Sequence, residues 1–293
     1  MAAISGSGSY WESVQATGLA VPSDRPLDEL TAELTRMLGD PDPEMREHIA
    51  VPTLLTWLRR GVYDDLLAGL GDGMAAGLRV GLAEPGGPSD GPSDGPSDHT
   101  VFRRSWSAVV LAACVDRDIE RPLVSGNKIL EWGDRLATWL LREQDLRDFV
   151  PGRGSARAIG HGADALGVLA RSPHVSRPEL TVLLDVVADR VLTRSDVAFG
   201  LDESDRLAAA TVAVLRRNVL PLAVLEPWVA RVAGAATRPE SASDRAAWAL
   251  ATNAQSFLRS LQLQLALGPV QPEVRSDLLL VLIEALRRTN GDL

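Results

Sequence analysis

The sequence predicts an all-α protein of antiparallel helix pairs, stacked as an α-solenoid of the HEAT type or as an α/α array. Apolar residues recur at helical spacing along most of the chain. Segments rich in Val and Ile keep that spacing and do not show the strict alternation of a β-strand. Short turns containing Pro or Gly separate the periodic segments, as expected between antiparallel helices.

The composition predicts one folded domain with two irregular regions. The chain has 293 residues, of which 45% are hydrophobic, enough for a large core. Residues 1–25 are rich in Gly and Ser, so we expect a flexible N-terminal arm. Residues 26–293 form the single helical domain, interrupted by a mobile loop at 84–99. This loop contains the repeat GPSDGPSDGPSD, residues 87–98, which has no apolar residue.

Helical signals begin directly after the predicted arm. Leu27, Leu30, Leu34 and Leu38 form one apolar stripe. In the next segment Asp42 suits an N-cap and Pro43 the first helical position, and Pro52 is expected to end or kink that helix. A further helix is predicted within residues 62–82, weakened by its glycines.

The region after the loop is predicted to be helical throughout. The segment Ser176–Glu179 has capping-box spacing, and Asp202–Asp205 places acidic residues in a first turn, where the helix dipole favours them. The expected helices lie near 100–115, 123–141, 155–171, 177–192, 203–217, 221–235, 242–266 and 272–288.

Charge and cysteine content exclude several classes of function. The net charge of −9 argues against a nucleic-acid partner, because phosphate contacts need clustered basic residues. The single cysteine, Cys114, lies in an apolar run, and the four histidines are scattered, so no metal site is expected. No apolar run is long enough to span a membrane and no secretory signal is recognised, so we expect a cytoplasmic protein without a membrane partner.

The segment RAIGHGADAL, residues 157–166, carries the main candidate site. Arg157, His161 and Asp164 share one face of a helix that is otherwise apolar. Buried polar groups must be paired or must face water in a cavity. The stripe therefore either fixes packing through hydrogen bonds or lines a pocket. In a pocket, His161 would be a general acid/base, Asp164 would orient it and Arg157 would bind the substrate.

Residues elsewhere in the chain extend this candidate site. Glu203 is a further candidate catalytic carboxylate that could support the histidine. Arg206 enters a run of Ala and Leu and therefore needs a buried acceptor, for which Glu143 or Asp145 could serve. Arg104 and Trp106 lie on an apolar helix, where a partly buried cation and an aromatic ring can contact substrate. Salt-bridged helix ends and ordinary core packing are the structural alternatives.

Several segments together resemble the DUF2785 family of uncharacterised bacterial proteins. The resemblance runs from about residue 40 to residue 265 and implies an all-helical fold without an established activity. The matching stretches are DPEMREHIAVPTLLTWL, VFRRSWSAVVLA, EQDLRDFVPGRGSARAIGHGADAL, DESDRLAAA and NAQSFLRSL.

The chain departs from the family pattern within the polar stripe. The family reads like Gly-Trp-x-His-x-x-x-His-x-x-Asp, whereas here Ser155 replaces the Trp and Arg157 replaces the first His. His161 and Asp164 are kept. If the two histidines of the family bind a metal, the resemblance implies that this chain has lost that site. A pocket adapted to another ligand is the alternative.

The functional prediction is a cofactor-free acid–base enzyme of small-molecule biosynthesis. Phosphate loops, dinucleotide fingerprints and metal-binding motifs are not recognised in the sequence. The remaining chemistry is dehydration, double-bond isomerisation, or addition with ring closure on a largely apolar substrate. The alternative is a non-catalytic helical-repeat scaffold that binds a protein partner through an exposed apolar groove. A homodimer is compatible with either function.

Overall fold

The computed structural model describes residues 4–82, 99–237 and 243–290, and within these ranges it is predominantly helical. The prediction of an all-α fold is confirmed. The predicted loop at 84–99 and its repeat lie outside the described residues, apart from His99.

The chain divides into two compact units, where the sequence analysis predicted one domain over 26–293. The first unit consists of Met1–Arg135 and Arg147–His161, and the second of Leu136–Leu146 and Gly162–Leu293. Two helices, α6 (Gly126–Arg142) and α7 (Ala158–Arg171), contribute residues to both units.

The first unit is built from the N-terminal helices. Within it, α4 and α3 both pack against α5, and α2 packs against α3. Its helices are α1 (Ile4–Ala16), α2 (Leu27–Met37), a π-helix (Glu44–Ala50), α3 (Val51–Arg59), a 3₁₀ helix (Asp64–Leu66), α4 (Leu67–Gly77), α5 (Thr100–Glu120) and the start of α6 (Gly126–Arg142).

Helix α1 differs from the flexible arm predicted at 1–25. Its Gly- and Ser-rich sequence has low helix propensity, but Trp11 is fully buried. The Trp11 Nε1 donates to Glu33 Oε1 at 2.9 Å, and the Trp11 ring lies 6.3 Å from that of Trp57. Tertiary packing of one aromatic side chain therefore fixes a segment that local propensity alone would leave unfolded.

The π-helix ends where Pro52 was expected to end or kink a helix. Proline has no backbone N–H, so an α-helical hydrogen bond to the carbonyl of His48 cannot form. The side chain of Gln15 donates to that carbonyl instead. Asp42 contributes at the other end, where its Oδ1 accepts the N–H of Glu44 at 3.0 Å.

A two-stranded hairpin, which was not predicted, precedes α7 in the first unit. Strands β1 (Phe149–Val150) and β2 (Gly154–Ser155) pair antiparallel, with Val150 opposite Gly154. Pro151 and Gly152 occupy the turn, where Gly152 has φ +71° and Arg153 N donates to Val150 O at 2.8 Å. A type II turn favours these residue types at these positions.

The second unit contains the remaining helices, close to their predicted ranges. Helix α9 (Glu203–Leu215) packs against α8 (Arg177–Val191) and α11 (Arg245–Leu267). Helix α12 (Arg275–Thr289) packs against α10 (Leu222–Ala235) and α11. The predicted capping box is confirmed at the start of α8, where Glu179 accepts the N–H of Ser176. Within the described ranges, no helix is long and apolar enough to cross a membrane. The helices of the second unit are therefore most of α7 (Ala158–Arg171), followed by α8 to α12.

Candidate functional site

The first unit places His161 against a serine of helix α5. His161 Nδ1 lies 2.8 Å from Ser105 Oγ. Ser105 is fully buried, whereas 8% of His161 is exposed, so the imidazole sits at the edge of the core. The serine hydroxyl also donates to the backbone carbonyl of Ala156, directly after the hairpin. These three residues form a cluster that we call the Ser105–His161 site.

The hydrogen-bond pattern assigns the tautomer of His161. A serine hydroxyl has a single hydrogen, and here the carbonyl of Ala156 accepts it. Ser105 Oγ can then only accept at the imidazole, so Nδ1 must carry a proton and donate it. In the neutral ring, Nε2 therefore carries the lone pair and is the nitrogen that can take up a proton. The same geometry makes Ser105 a poor nucleophile, because the residue is fully buried and its hydroxyl donates its hydrogen to a carbonyl and not to the imidazole.

Trp106, a predicted site residue, follows Ser105 on α5, and its ring lies next to the imidazole of His161. The centroids of the Trp106 and His161 rings are 4.5 Å apart, and their planes are tilted by 56°. The indole Nε1 is buried without a hydrogen-bond partner among the described residues. A buried donor without an acceptor costs about 1–3 kcal/mol, so an acceptor oxygen placed at this N–H would be favourable.

The other two candidates of the first unit, Arg157 and Arg104, contact the backbone on either side of the site. Arg157 adopts φ +45°, an uncommon backbone conformation for a non-glycine residue, and its carbonyl accepts the N–H of His161 at 2.9 Å. Arg104 is 3% exposed and donates to the carbonyl of Val80 at 2.9 Å and to Thr100 Oγ1 at 2.8 Å. Arg104 therefore links α5 to the segment after α4.

The second unit joins Asp164 to Arg206. The guanidinium of Arg206 donates to Asp164 and, through Nε, to Asp202 Oδ2 at 2.7 Å. About a third of the Arg206 side chain and 43% of that of Asp164 are exposed. The acceptors of Arg206 are therefore these two aspartates and not Glu143 or Asp145, which the sequence had suggested.

Glu203 and Asp145 each lie at the end of a helix in the second unit. Glu203 is 3% exposed and accepts the N–H of Leu201 at 3.1 Å, ahead of α9. Asp145 follows α6 and donates its N–H to Glu143 Oε1 at 3.0 Å. Both contacts organise loops next to helix ends. In the described part of the chain, no group of three or more His, Cys, Asp or Glu side chains is placed to hold a metal ion.

Sequence reasoning missed Ser105 and the hairpin carbonyl of Ala156. Ser105 is a small neutral residue inside VFRRSWSAVVLA, and nothing in its local pattern distinguishes it from other serines on packed helices. The hairpin did have a signal, because Pro151–Gly152 is a typical turn dipeptide. A turn at that position predicts that the chain reverses shortly before the helix that carries His161.

Comparison with known proteins identifies a family without an assigned function. A family model described as "Protein of unknown function (DUF2785)" matches residues 94–263. That range is more than half of the 293 residues and includes the side chains of the Ser105–His161 site. No curated protein matches the chain, and no solved structure matches it.

Proposed function

We propose that this chain, which belongs to the DUF2785 family of proteins of unknown function, is an acid–base enzyme that works without a cofactor. One observation carries the proposal: Ser105 Oγ donates to the carbonyl of Ala156 and contacts His161 Nδ1, which favours the tautomer whose Nε2 could act as a base. A base of this kind suits proton removal from carbon, followed by isomerisation, dehydration or ring closure.

The surroundings of the imidazole support a substrate that is apolar but carries at least one oxygen acceptor. The Trp106 ring covers one side of His161 with apolar surface. The Trp106 N–H, which is buried without an acceptor among the described residues, can donate to a carbonyl or hydroxyl oxygen of that substrate. When an adjacent C–H bond loses its proton, negative charge would develop on that oxygen, and the Trp106 N–H would stabilise it.

The proton balance of such a reaction is simple. His161 Nε2 takes a proton from carbon, and the electron pair moves towards the substrate oxygen. In an isomerisation the same imidazolium returns the proton to another carbon. In a dehydration it returns the proton to a departing hydroxyl group, which leaves as water. No external oxidant or reductant enters either reaction.

Substitution of His161 by Asn provides a direct test. An asparagine amide occupies roughly the place of Nδ1 and can still donate to Ser105, but it has no counterpart of Nε2. A strain lacking the gene would be complemented with wild-type protein, His161→Asn, or His48→Asn at an exposed position, and metabolites compared by mass spectrometry. We expect wild type and His48→Asn to restore one lost product.

The precursor mass distinguishes the reaction classes. With His161→Asn, a precursor should accumulate that is isomeric with the product or one water heavier. Full restoration of the product by His161→Asn would eliminate Nε2 as the base. An unchanged metabolite profile on deletion of the gene would remove the support for a metabolic enzyme.

A second candidate function, a scaffold that binds a protein partner, is favoured by a groove in the second unit. The groove has a volume of about 390 Å³, and its lining includes Val212, Leu263 and Leu267. Leu263 and Leu267 are 55% and 75% exposed, which is unusual for two leucines one helical turn apart.

The two functions predict opposite phenotypes in the same strain. A scaffold should lose its function with Leu267→Asp and keep it with His161→Asn. An enzyme should show the reverse. Leu280→Asp is a control, because Leu280 is 68% exposed and does not line the groove.

A further inference from the structure

We propose that Arg46 and Glu47 are positioning residues that hold His161 in its base-competent tautomer through the hairpin. This inference rests on the proposed function, because it concerns how the same imidazole is kept ready. Neither residue touches His161. Their effect passes through Ala156 and Ser105, as the following contacts show.

Arg46 is a buried cation whose two terminal nitrogens donate hydrogen bonds, while its Nε has no hydrogen-bond partner among the described residues. It has no exposed surface, and its guanidinium donates to the carbonyls of Asp40 and Arg153 and to Glu47 Oε1. The guanidinium carbon also lies 4.0 Å from the centroid of the Phe102 ring, on α5. Burial lowers the pKa of Arg46 and the hydrogen bond to Glu47 opposes that shift. The cation is therefore held in place from several directions.

Glu47 and Arg46 together clamp strand β2 of the hairpin. Glu47 Oε1 accepts the N–H of Ser155 at 3.1 Å, while Arg46 binds the carbonyl of Arg153. Gly154 lies between these contacts with φ +84°. A Cβ at Gly154 would lie 2.6 Å from Glu47 Oε1 and 2.9 Å from Arg46 Nη2. Glycine is required here by both the backbone conformation and the close approach of the clamp.

The clamped strand leads directly to the serine partner of His161. Ala156 follows Ser155; its N–H donates to Asp148 O at 2.9 Å and its carbonyl accepts the hydroxyl of Ser105. Ser105 lies one helical turn after Phe102 on α5, the ring beneath Arg46. The clamp therefore holds both sides of the Ser105–Ala156 hydrogen bond: the hairpin through backbone contacts and α5 through Phe102.

Loss of the clamp should allow His161 to change from one tautomer to the other. If the hairpin shifts, the carbonyl of Ala156 moves away from Ser105. The serine hydrogen can then be donated to Nδ1, which favours the tautomer with a proton on Nε2. In that tautomer, Nε2 cannot take a proton from a substrate. The clamp thus acts on the position of one proton rather than on the presence of the histidine.

Nitrogen NMR of the whole protein tests this without knowledge of a substrate. Protein labelled with ¹⁵N-histidine would be studied at about pH 8, where ordinary histidines are neutral. The spectrum of His161→Asn identifies the His161 signals among the four histidines. In wild type we expect Nδ1 to give the protonated shift and Nε2 the unprotonated one.

The informative variant is Glu47→Gln, with Glu44→Gln as its matched control. Glu44 lies in the same π-helix and is exposed. Glu47→Gln should change the ratio of the two His161 tautomers by about fivefold, which corresponds to one neutral hydrogen bond. Glu44→Gln should leave the ratio unchanged. Glu47→Asp keeps the charge near Arg46 but draws the carboxylate away from Ser155, and it should shift the ratio in the same direction. Glu47→Asp replaces Glu47→Gln in this experiment if the Glu47→Gln protein does not fold.

The outcomes separate this inference from the proposed function. Wild-type tautomers in folded Glu47→Gln or Glu47→Asp protein would overturn the positioning role, even if His161→Asn abolishes product formation. A shifted ratio would support the positioning role, even if His161→Asn restores the product and refutes the base. A wild-type protein with Nε2 protonated would overturn both.

Discussion

Substitution of two glycines in helix α4 should change stability in opposite directions. A Cβ at Gly71 would lie 2.1 Å from Trp132 Cζ2, whereas a Cβ at Gly73 would meet no atom within 4 Å. Trp132 is fully buried, and its Nε1 donates to Asp72 Oδ1 at 2.9 Å. The ring therefore cannot move away from a new methyl group without disturbing this hydrogen bond and the surrounding core.

The expected magnitudes follow from two opposing effects. Alanine is favoured over glycine in a helix interior by about 1 kcal/mol, which applies to both positions. Ordinary contacts of a Cβ begin near 3.4 Å, so the 2.1 Å approach at Gly71 is an overlap of more than an ångström. Overpacking of this kind costs about 3 kcal/mol, the upper part of its usual range. Gly71→Ala should thus lose about 2 kcal/mol, and Gly73→Ala should gain up to about 1 kcal/mol.

Urea unfolding followed by circular dichroism measures both variants against wild type. The midpoint for Gly71→Ala should fall and that for Gly73→Ala should rise, with unchanged slopes. Equal stability of Gly71→Ala and wild type would show that Trp132 yields readily, and it would refute the packing argument. An equal loss of stability for Gly73→Ala and Gly71→Ala would show that the backbone of α4, and not the contact with Trp132, causes the loss.

Three further predictions concern buried groups. Burial raises the pKa of Tyr63 to about 12. The native state then retains a proton that the unfolded chain loses above about pH 10. The free energy of unfolding should therefore fall by roughly 2–3 kcal/mol as the pH rises from 10 to 12. Tyr63→Phe should remove this part of the pH dependence of stability. Cys114 is fully buried and burial raises the pKa of its thiol, so a thiol reagent should react with it only at the rate of unfolding. Glu143 accepts hydrogen bonds from Trp139 Nε1 and from the N–H of Asp145 on separate oxygens. Glu143→Gln turns one acceptor into a donor and should cost about 2–4 kcal/mol in urea unfolding, while a cost below about 0.5 kcal/mol would contradict this geometry.

The helices were predictable because burial imposes a regular spacing on apolar residues. Helix α8 begins at Arg177 and ends at Val191, close to the predicted 177–192, and its capping box was visible in the sequence. Helix α1 was missed because its residues have weak helix propensity and its stability comes from burial of Trp11. Such packing depends on partners distant in sequence, which periodicity does not report.

The candidate site was predictable only in part. The sequence singled out His161 and Trp106, and the structure brings their rings to a centroid distance of 4.5 Å. If the stripe lined a pocket, Asp164 or another carboxylate was expected to orient His161, and the sequence did not indicate the contact of Ser105 Oγ with Nδ1. Spacing along one helix identifies residues on the same face, but it does not identify the residue on the helix opposite. A serine among packed apolar residues also carries no charge signature.

The contact between Ser105 and His161 affects which reactions the imidazole could catalyse. A neutral hydroxyl fixes the orientation and tautomer of the imidazole but contributes no negative charge to stabilise the imidazolium. The proposed reaction should therefore be one in which the proton taken by Nε2 is returned within the same turnover. Isomerisation returns it to carbon and dehydration returns it to the departing hydroxyl, so both agree with a serine at Nδ1.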